Sequence, residues 1–228
     1  MAADRTAPDP RAVPIAATAS AVLAAAAFLD VPARAWFAAQ DPAMAAFWKR
    51  LTLIGDSGWM LGGAAAIALL AFAVRGRARS RRWARGLDAA AALALFALAA
   101  VGLLGALAAG LKLAIGRPRP KMFETIGAFD LEPLAFSYKM NGFPSGHATT
   151  VFALAAALAL LAPRWRPVIY AAAAWGALSR VAVGAHYVSD VVAGAALGHW
   201  GTRALARRAA ARGWAFRPDL APRRPREA

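Results

Sequence analysis

The chain contains no cysteine, which excludes disulfide bridges and thiolate–metal sites and leaves its redox compartment unmarked. It is short of acidic residues: 12 Asp and Glu stand against 27 Lys and Arg, a formal net charge of +15 over 228 residues. It lacks the polar surface of a soluble domain, because 60% of its residues are hydrophobic and the mean hydropathy is +0.46. Strand-type alternation is absent. These absences leave an all-α integral membrane protein, long enough for one helical bundle and too short for a large second domain.

A soluble protein with this charge would point to nucleic acid. Here the basic residues bunch between apolar segments, and no nucleic-acid partner is expected. Six apolar segments can be marked, at about 13–29, 58–74, 88–111, 147–162, 167–183 and 188–205. Each is near the ~20 residues that a bilayer core requires. Alanine dominates them, and small side chains let membrane helices approach closely. The arginine-rich stretch 75–86, the pair Arg164 and Arg166, and the basic tail 206–228 alternate correctly with six spans. Positive loops stay inside, so all three stretches and both termini are expected in the cytoplasm. The stretches at about 30–57, 112–146 and 184–187 then face outward. The first holds Trp36, Phe37, Phe47, Trp48 and Trp59 with mixed charge, which suggests an interfacial amphipathic piece. The N-terminal IAATASAVLAAAAF has the look of a signal-peptide core, but Asp4 and Asp9 dilute the basic region that should precede one. An uncleaved first helix is expected, and 1–228 reads as a single transmembrane domain.

Ionisable residues collect at the outer ends of these segments. Lys112, Arg117 and Arg119 follow the third, His147 opens the fourth, Arg180 lies near the end of the fifth, and His186 and Asp190 begin the sixth. Taken singly, each has an ordinary reading: a snorkelling cation, an interfacial histidine, an i,i+4 pair. Arg180 resists that, because it sits inside the apolar run WGALSRVAVG, where a charge faces a partner or a polar cavity. Several fixed cations recognise an anion with more than one charge, and arginine forks match phosphate oxygens. Pro144-Ser145-Gly146 leads into a helix N-terminus, whose free amides and dipole also favour phosphate. Ser145 adds a hydroxyl donor, and Gly146 lets the backbone come close. Four residues apart, His186 and Asp190 share a helix face. A carboxylate on one ring nitrogen would leave the other as nucleophile or base, and His147 free to protonate a leaving group. No acidic cluster suggests a bound metal, so neither metal nor other cofactor is expected.

KLAIGRPRP at 112–120, PSGH at 144–147 and SRVAVGAHYVSD at 179–190 together resemble the three-part signature of the type 2 phosphatidic acid phosphatase (PAP2) superfamily, which also includes bacterial acid phosphatases and vanadium haloperoxidases. The resemblance implies a six-helix bundle of that type and a lipid phosphate as substrate. It implies that Lys112, Arg119, Ser145, Gly146 and Arg180 hold the phosphate. His186 would form a phosphohistidine, Asp190 would orient it, and His147 would serve as acid and then base, without a divalent metal. Arg117 lies outside the core pattern and has no assigned role, and His199 reads as structural.

Three functions fit these residues: a lipid phosphatase, a lipid phosphotransferase using the same site, and a non-catalytic lipid-phosphate binder or transporter. The last has no need of two histidines and a carboxylate. Undecaprenyl diphosphate, phosphatidylglycerol phosphate, phosphatidic acid and the 1-phosphate of lipid A are candidate substrates, and LTLIGDSGWML at 51–61 faintly resembles lipid A phosphatase-like members. The site is expected on the periplasmic or extracellular face of a bacterial plasma membrane. Oligomeric state leaves no sequence signal.

Overall fold

The computed structural model describes residues 12–222. Asp4, Asp9 and the tail from residue 223 onward lie outside the described residues. Nine α-helices are described: α1 (Ala12–Phe28), α2 (Asp30–Ala38), α3 (Pro42–Leu51), α4 (Ser57–Arg75), α5 (Arg81–Ile115), α6 (Phe123–Ile126), α7 (Gly146–Leu161), α8 (Arg166–Ala182) and α9 (Val188–Ala211). Among the described residues the only β-pairing is an isolated bridge between Phe216 and Pro222. Alanine, the best helix former, fills the long helices, and polar side chains cap the starts of several helices. Asp41 accepts the Met44 amide, Asp56 the Gly58 amide and Ser80 the Trp83 amide at the starts of α3, α4 and α5.

The six apolar segments of the sequence become α1, α4, α5, α7, α8 and α9. The interfacial piece expected in 30–57 is two short helices, α2 and α3, which lie against α8. Trp48 on α3 is buried beside Trp175 of α8, with ring centroids 5.7 Å apart. The last helix continues past the boundary read at 205 to Ala211, and Phe216 beyond it is buried against Phe96. By length and apolarity α4 and the run beginning at α5 can each cross a bilayer; α1 and α2 pass the same test only when taken together, and they are bent by 53° at their junction. α7 is shorter, at 16 residues, and is sheathed by α4, α5, α8 and α9. A helix enclosed by neighbours needs less lipid-facing apolar length.

The packing of α7 against α9 sets the depth of the site. A side chain at Gly198 would come 2.2 Å from the Thr149 carbonyl oxygen, and one at Gly194 would meet the Ser145 carbonyl at 2.4 Å. This small-x3-small spacing lets the two backbones touch. It brings the start of α7 beside the start of α9. The end of α5, the start of α7, the end of α8 and the start of α9 therefore share one end of the bundle. Arg75 to Arg85 and Arg164 to Arg166 lie at the other.

Candidate active site

α5 ends in Gly116, whose left-handed φ of +60° few other residues adopt. The chain turns there, so Arg117 and Arg119 leave the helix and run back across the end of the bundle. Two bonds clasp this segment to the stretch before α7: the Arg119 amide donates to the Lys139 carbonyl (2.9 Å), and the Gly142 amide donates to the Arg117 carbonyl (2.8 Å). The Ser145 amide donates to the Asp190 carbonyl (2.9 Å), docking the PSGH turn on α9. Beyond α8, the Ala185 and His186 amides both donate to the Arg180 carbonyl (3.0 and 3.1 Å). Backbone bonds thus tie the three motifs together.

His186 is 3% exposed. Its Nδ1 lies 2.7 Å from the Gly142 carbonyl oxygen and 3.5 Å from Oδ2 of Asp190. A carbonyl only accepts, so Nδ1 carries the proton and Nε2 keeps its lone pair. The shorter partner is therefore a backbone oxygen, where the sequence suggested the carboxylate. Asp190 has other ties: its Oδ1 accepts from Arg117 Nη1 (2.5 Å) and its Oδ2 from the Tyr187 amide (2.8 Å). Burial is the main cause that pushes the His186 imidazole down to about 4. Lys112 and Arg119 act in the same direction, and Asp190 opposes them. His186 is thus neutral at pH 7.

Lys112 Nζ donates to the Asn141 carbonyl (3.0 Å). Arg119 donates through Nε to the Tyr138 carbonyl (2.9 Å) and through Nη1 to the Ala185 carbonyl (3.2 Å). Arg180 donates through Nη1 to Thr52 Oγ1 (2.6 Å), and its buried Nε has no partner among the described residues. These three cations lie within electrostatic reach of one another, with Asp190 the nearby counter-charge. Burial also holds the Arg119 guanidinium below its ordinary range. Like charges so arranged, with donors left over, suit an anion.

Ser145 is fully buried and caps α7, its Oγ accepting the Ala148 amide at 3.4 Å. Helix geometry leaves the Gly146 and His147 amides without intrahelical acceptors, and the cap uses neither. His147 is half-buried against Gly55, where a side chain would come 2.9 Å from its ring. The turn 52–56 between α3 and α4 therefore borders the site, through Thr52 on Arg180 and Gly55 on His147. A groove of about 370 Å³ runs from Lys112, Gly146 and His147 along α4, α5 and α7, lined by Leu61, Val101, Gly102, Gly105, Ala106 and Ala109. It is polar at the site and apolar beyond.

The eight residues expected from the sequence lie together. Others take part that the motifs do not mark. Arg117, left without a role, is 4% exposed and bridges Asp190 and Asp30 of α2. Asp30 stands alone at the end of an apolar run in an acid-poor chain, a signal that could have marked it. Gly142 acts through its carbonyl, which no side-chain pattern announces.

Residues 90–214 match the model of the PAP2 superfamily. The chain is 42% identical over 155 residues to a lipid A 1-phosphatase of Rhizobium etli, covering 66% of this chain and 65% of that protein. It is also 42% identical over 158 residues to a lipid A 1-phosphatase of Rhizobium johnstonii, covering 66% of this chain and 62% of that one. The matched region thus spans somewhat less than two thirds of these curated relatives. A transmembrane PAP2 type phosphatidylglycerolphosphate phosphatase from Bacillus subtilis, solved by crystallography, superposes with a TM-score of 0.56 at 22% identity, over 86% of this chain and 96% of that one. That likeness carries the fold, an all-helical bundle of the expected type.

Proposed function

Because the chain belongs to the PAP2 superfamily, we propose that it is an integral membrane phosphatase that removes phosphate from a lipid through a phosphohistidine. The observation that carries the chemistry is the bond from His186 Nδ1–H to the Gly142 carbonyl, which leaves Nε2 unprotonated. Lys112, Arg119 and Arg180 take the phosphate oxygens, with the Gly146 and His147 amides and the Ser145 hydroxyl. His186 Nε2 attacks phosphorus. The P–O bond to the lipid breaks, and His147 gives its proton to the leaving oxygen. Water then attacks phosphorus as His147 takes its proton; the new P–O bond forms, the P–N bond breaks, and its electron pair returns to Nε2. Fixed donors around a transferring phosphoryl group are the largest contribution to such catalysis. No step draws on a divalent metal.

The groove along α4, α5 and α7 takes the lipid's chain and sets its phosphate at the depth of Lys112 and His147. All six long helices span the membrane. The arginine-rich end faces the cytoplasm, so the site opens on the outer face. The relatives' names put the 1-phosphate of lipid A first among substrates, ahead of undecaprenyl diphosphate, phosphatidylglycerol phosphate and phosphatidic acid.

The test is phosphate release from these four lipids by purified protein in EDTA. Release from at least one is expected, and mass spectrometry of the products should show the dephosphorylated lipid with no second phospholipid acceptor. Turnover that stops in EDTA and returns with Mg²⁺ would defeat the metal-free mechanism.

A further inference from the structure

We propose that Asp30 is a positioning residue for His186, acting through Arg117 and Asp190 by making the buried charge beneath the imidazole net negative; this rests on the phosphohistidine reading above. Asp30 lies at the break between α1 and α2, outside the region that matches the family. It is 1% exposed, in a place where an unpaired carboxylate would be expelled or neutralised. Its Oδ2 accepts from Arg117 Nη2 (2.8 Å) and Ser189 Oγ (2.6 Å), and its Oδ1 accepts the Ser189 amide (2.9 Å). Arg117 Nη1 donates to Asp190 Oδ1 (2.5 Å) and Ser189 Oγ (2.7 Å), and its Nε donates to the Ala128 carbonyl (3.0 Å). The Arg117 guanidinium also lies 4.5 Å from the centroid of the Tyr187 ring. Four of the five N–H donors of Arg117 are taken, and it is buried at 4% exposure between two carboxylates, which are better partners for it than a phosphate. That separates it from Arg119, two residues on.

Charge decides what this arrangement does. Asp190 with Arg117 alone is a neutral pair, and a neutral pair offers little to a cation. Adding Asp30 makes the buried set net negative by one charge. His186 needs that charge at one moment. When Nε2 bonds phosphorus while Nδ1 keeps its proton, the ring becomes cationic inside a cluster of Lys112, Arg119 and Arg180. Asp30 supplies the balancing anion without touching the ring or the substrate. Its effect therefore falls on the transition state and the intermediate, and substrate binding is spared.

Asp30→Asn in the full chain, purified in detergent, is the test. Expected are a kcat lower by about 10–100-fold and a KM within about twofold of the parent. Vanadate, which can bond His186 Nε2 as the transferring phosphorus does, should weaken as an inhibitor by a factor like that in kcat. Inorganic phosphate, bound by the cations, should inhibit as before. The double variant Asp30→Asn with Arg117→Gln restores the net negative charge, and its kcat should exceed that of Asp30→Asn. An unchanged kcat in Asp30→Asn overturns the proposal. So does equal weakening of vanadate and phosphate, or a double variant worse than the single. If Asp30→Asn does not fold, the double variant decides: a kcat within about thirtyfold of the parent supports the proposal, and a larger loss overturns it. A parent that releases no lipid phosphate, or a His186→Ala variant that keeps its activity, would overturn the phosphohistidine reading and this proposal together. A parent and His186→Ala that behave as expected, beside an Asp30→Asn indistinguishable from the parent, would overturn this proposal alone.

Discussion

His186 and His199 are both held through Nδ1 at 2.7 Å, one by the Gly142 carbonyl and the other by the Tyr170 hydroxyl. The bond lengths match, but the partners differ in kind. A carbonyl oxygen fixes the proton on Nδ1 of His186, whereas a tyrosine hydroxyl can give or take, so it leaves the tautomer of His199 open. Their company differs more. His186 lies among Lys112, Arg119 and Asp190 at the end of the bundle. His199 sits mid-helix between aromatic rings, 5.4 Å from Tyr170 and 4.5 Å from Trp200. On the proposed mechanism, an enforced tautomer and fixed charge beside the ring are what set His186 apart as the nucleophile.

His186→Ala should break that contrast completely. Phosphate release from the best lipid substrate should fall by at least ~10³-fold, with expression and thermal stability retained. Retention of most activity would end the phosphohistidine mechanism. Arg180→Lys should do less, about 10²-fold in kcat, because it keeps the charge and loses the fork that matches phosphate. Full activity in that variant would remove Arg180 from the phosphate cradle.

Most of the frame was legible because it depends on side-chain type. Apolar runs near bilayer length mark the six long helices, and the order of the segments puts the motif residues at one end of the bundle. What was hidden depends on backbone or on chain-distant pairing. The Gly142 carbonyl has no side chain to betray it, so Asp190 was expected to hold His186 at the place the carbonyl occupies. Asp30 and Arg117 are 87 positions apart, and a single sequence offers no rule that pairs them. Thr52 meets Arg180 across 128 positions for the same reason. Beyond the apolar stretch ending at 205 the arginines look like tail, yet α9 runs on to Ala211 with Ala206, Ala209 and Ala210 buried on its other face.

The two histidines should also separate by titration. The His186 imidazole is pushed from 6.5 to about 4 by burial, so ¹⁵N shifts of its ring should stay those of the neutral Nδ1–H form down to about pH 5. The sign for stability follows. Above about 6.5 neither folded nor unfolded His186 binds a proton, so its contribution is constant. Between 6.5 and about 4 the unfolded chain binds one and the folded chain does not, so stability declines as pH falls. Melting temperatures in detergent at pH 7, 6 and 5 should fall in that order. His186→Asn should flatten part of the slope. A ring that titrates near 6.5 in the folded protein would show that water reaches it.

The smallest effect is expected at His199. His199→Phe keeps the ring, loses the bond to Tyr170 and stays on the face that packs on Tyr170 and Trp200. Removing one partner of a half-buried hydrogen bond costs about 1 kcal/mol, and the aromatic contacts that remain offset part of that. The variant should melt within a few degrees of the parent, with kcat and KM each within about threefold. If kcat falls as far as in Arg180→Lys, His199 reaches the chemistry by a route its Tyr170 bond and ring contacts do not supply. The contrast between the two histidines would then lie elsewhere than in enforced tautomer and fixed charge.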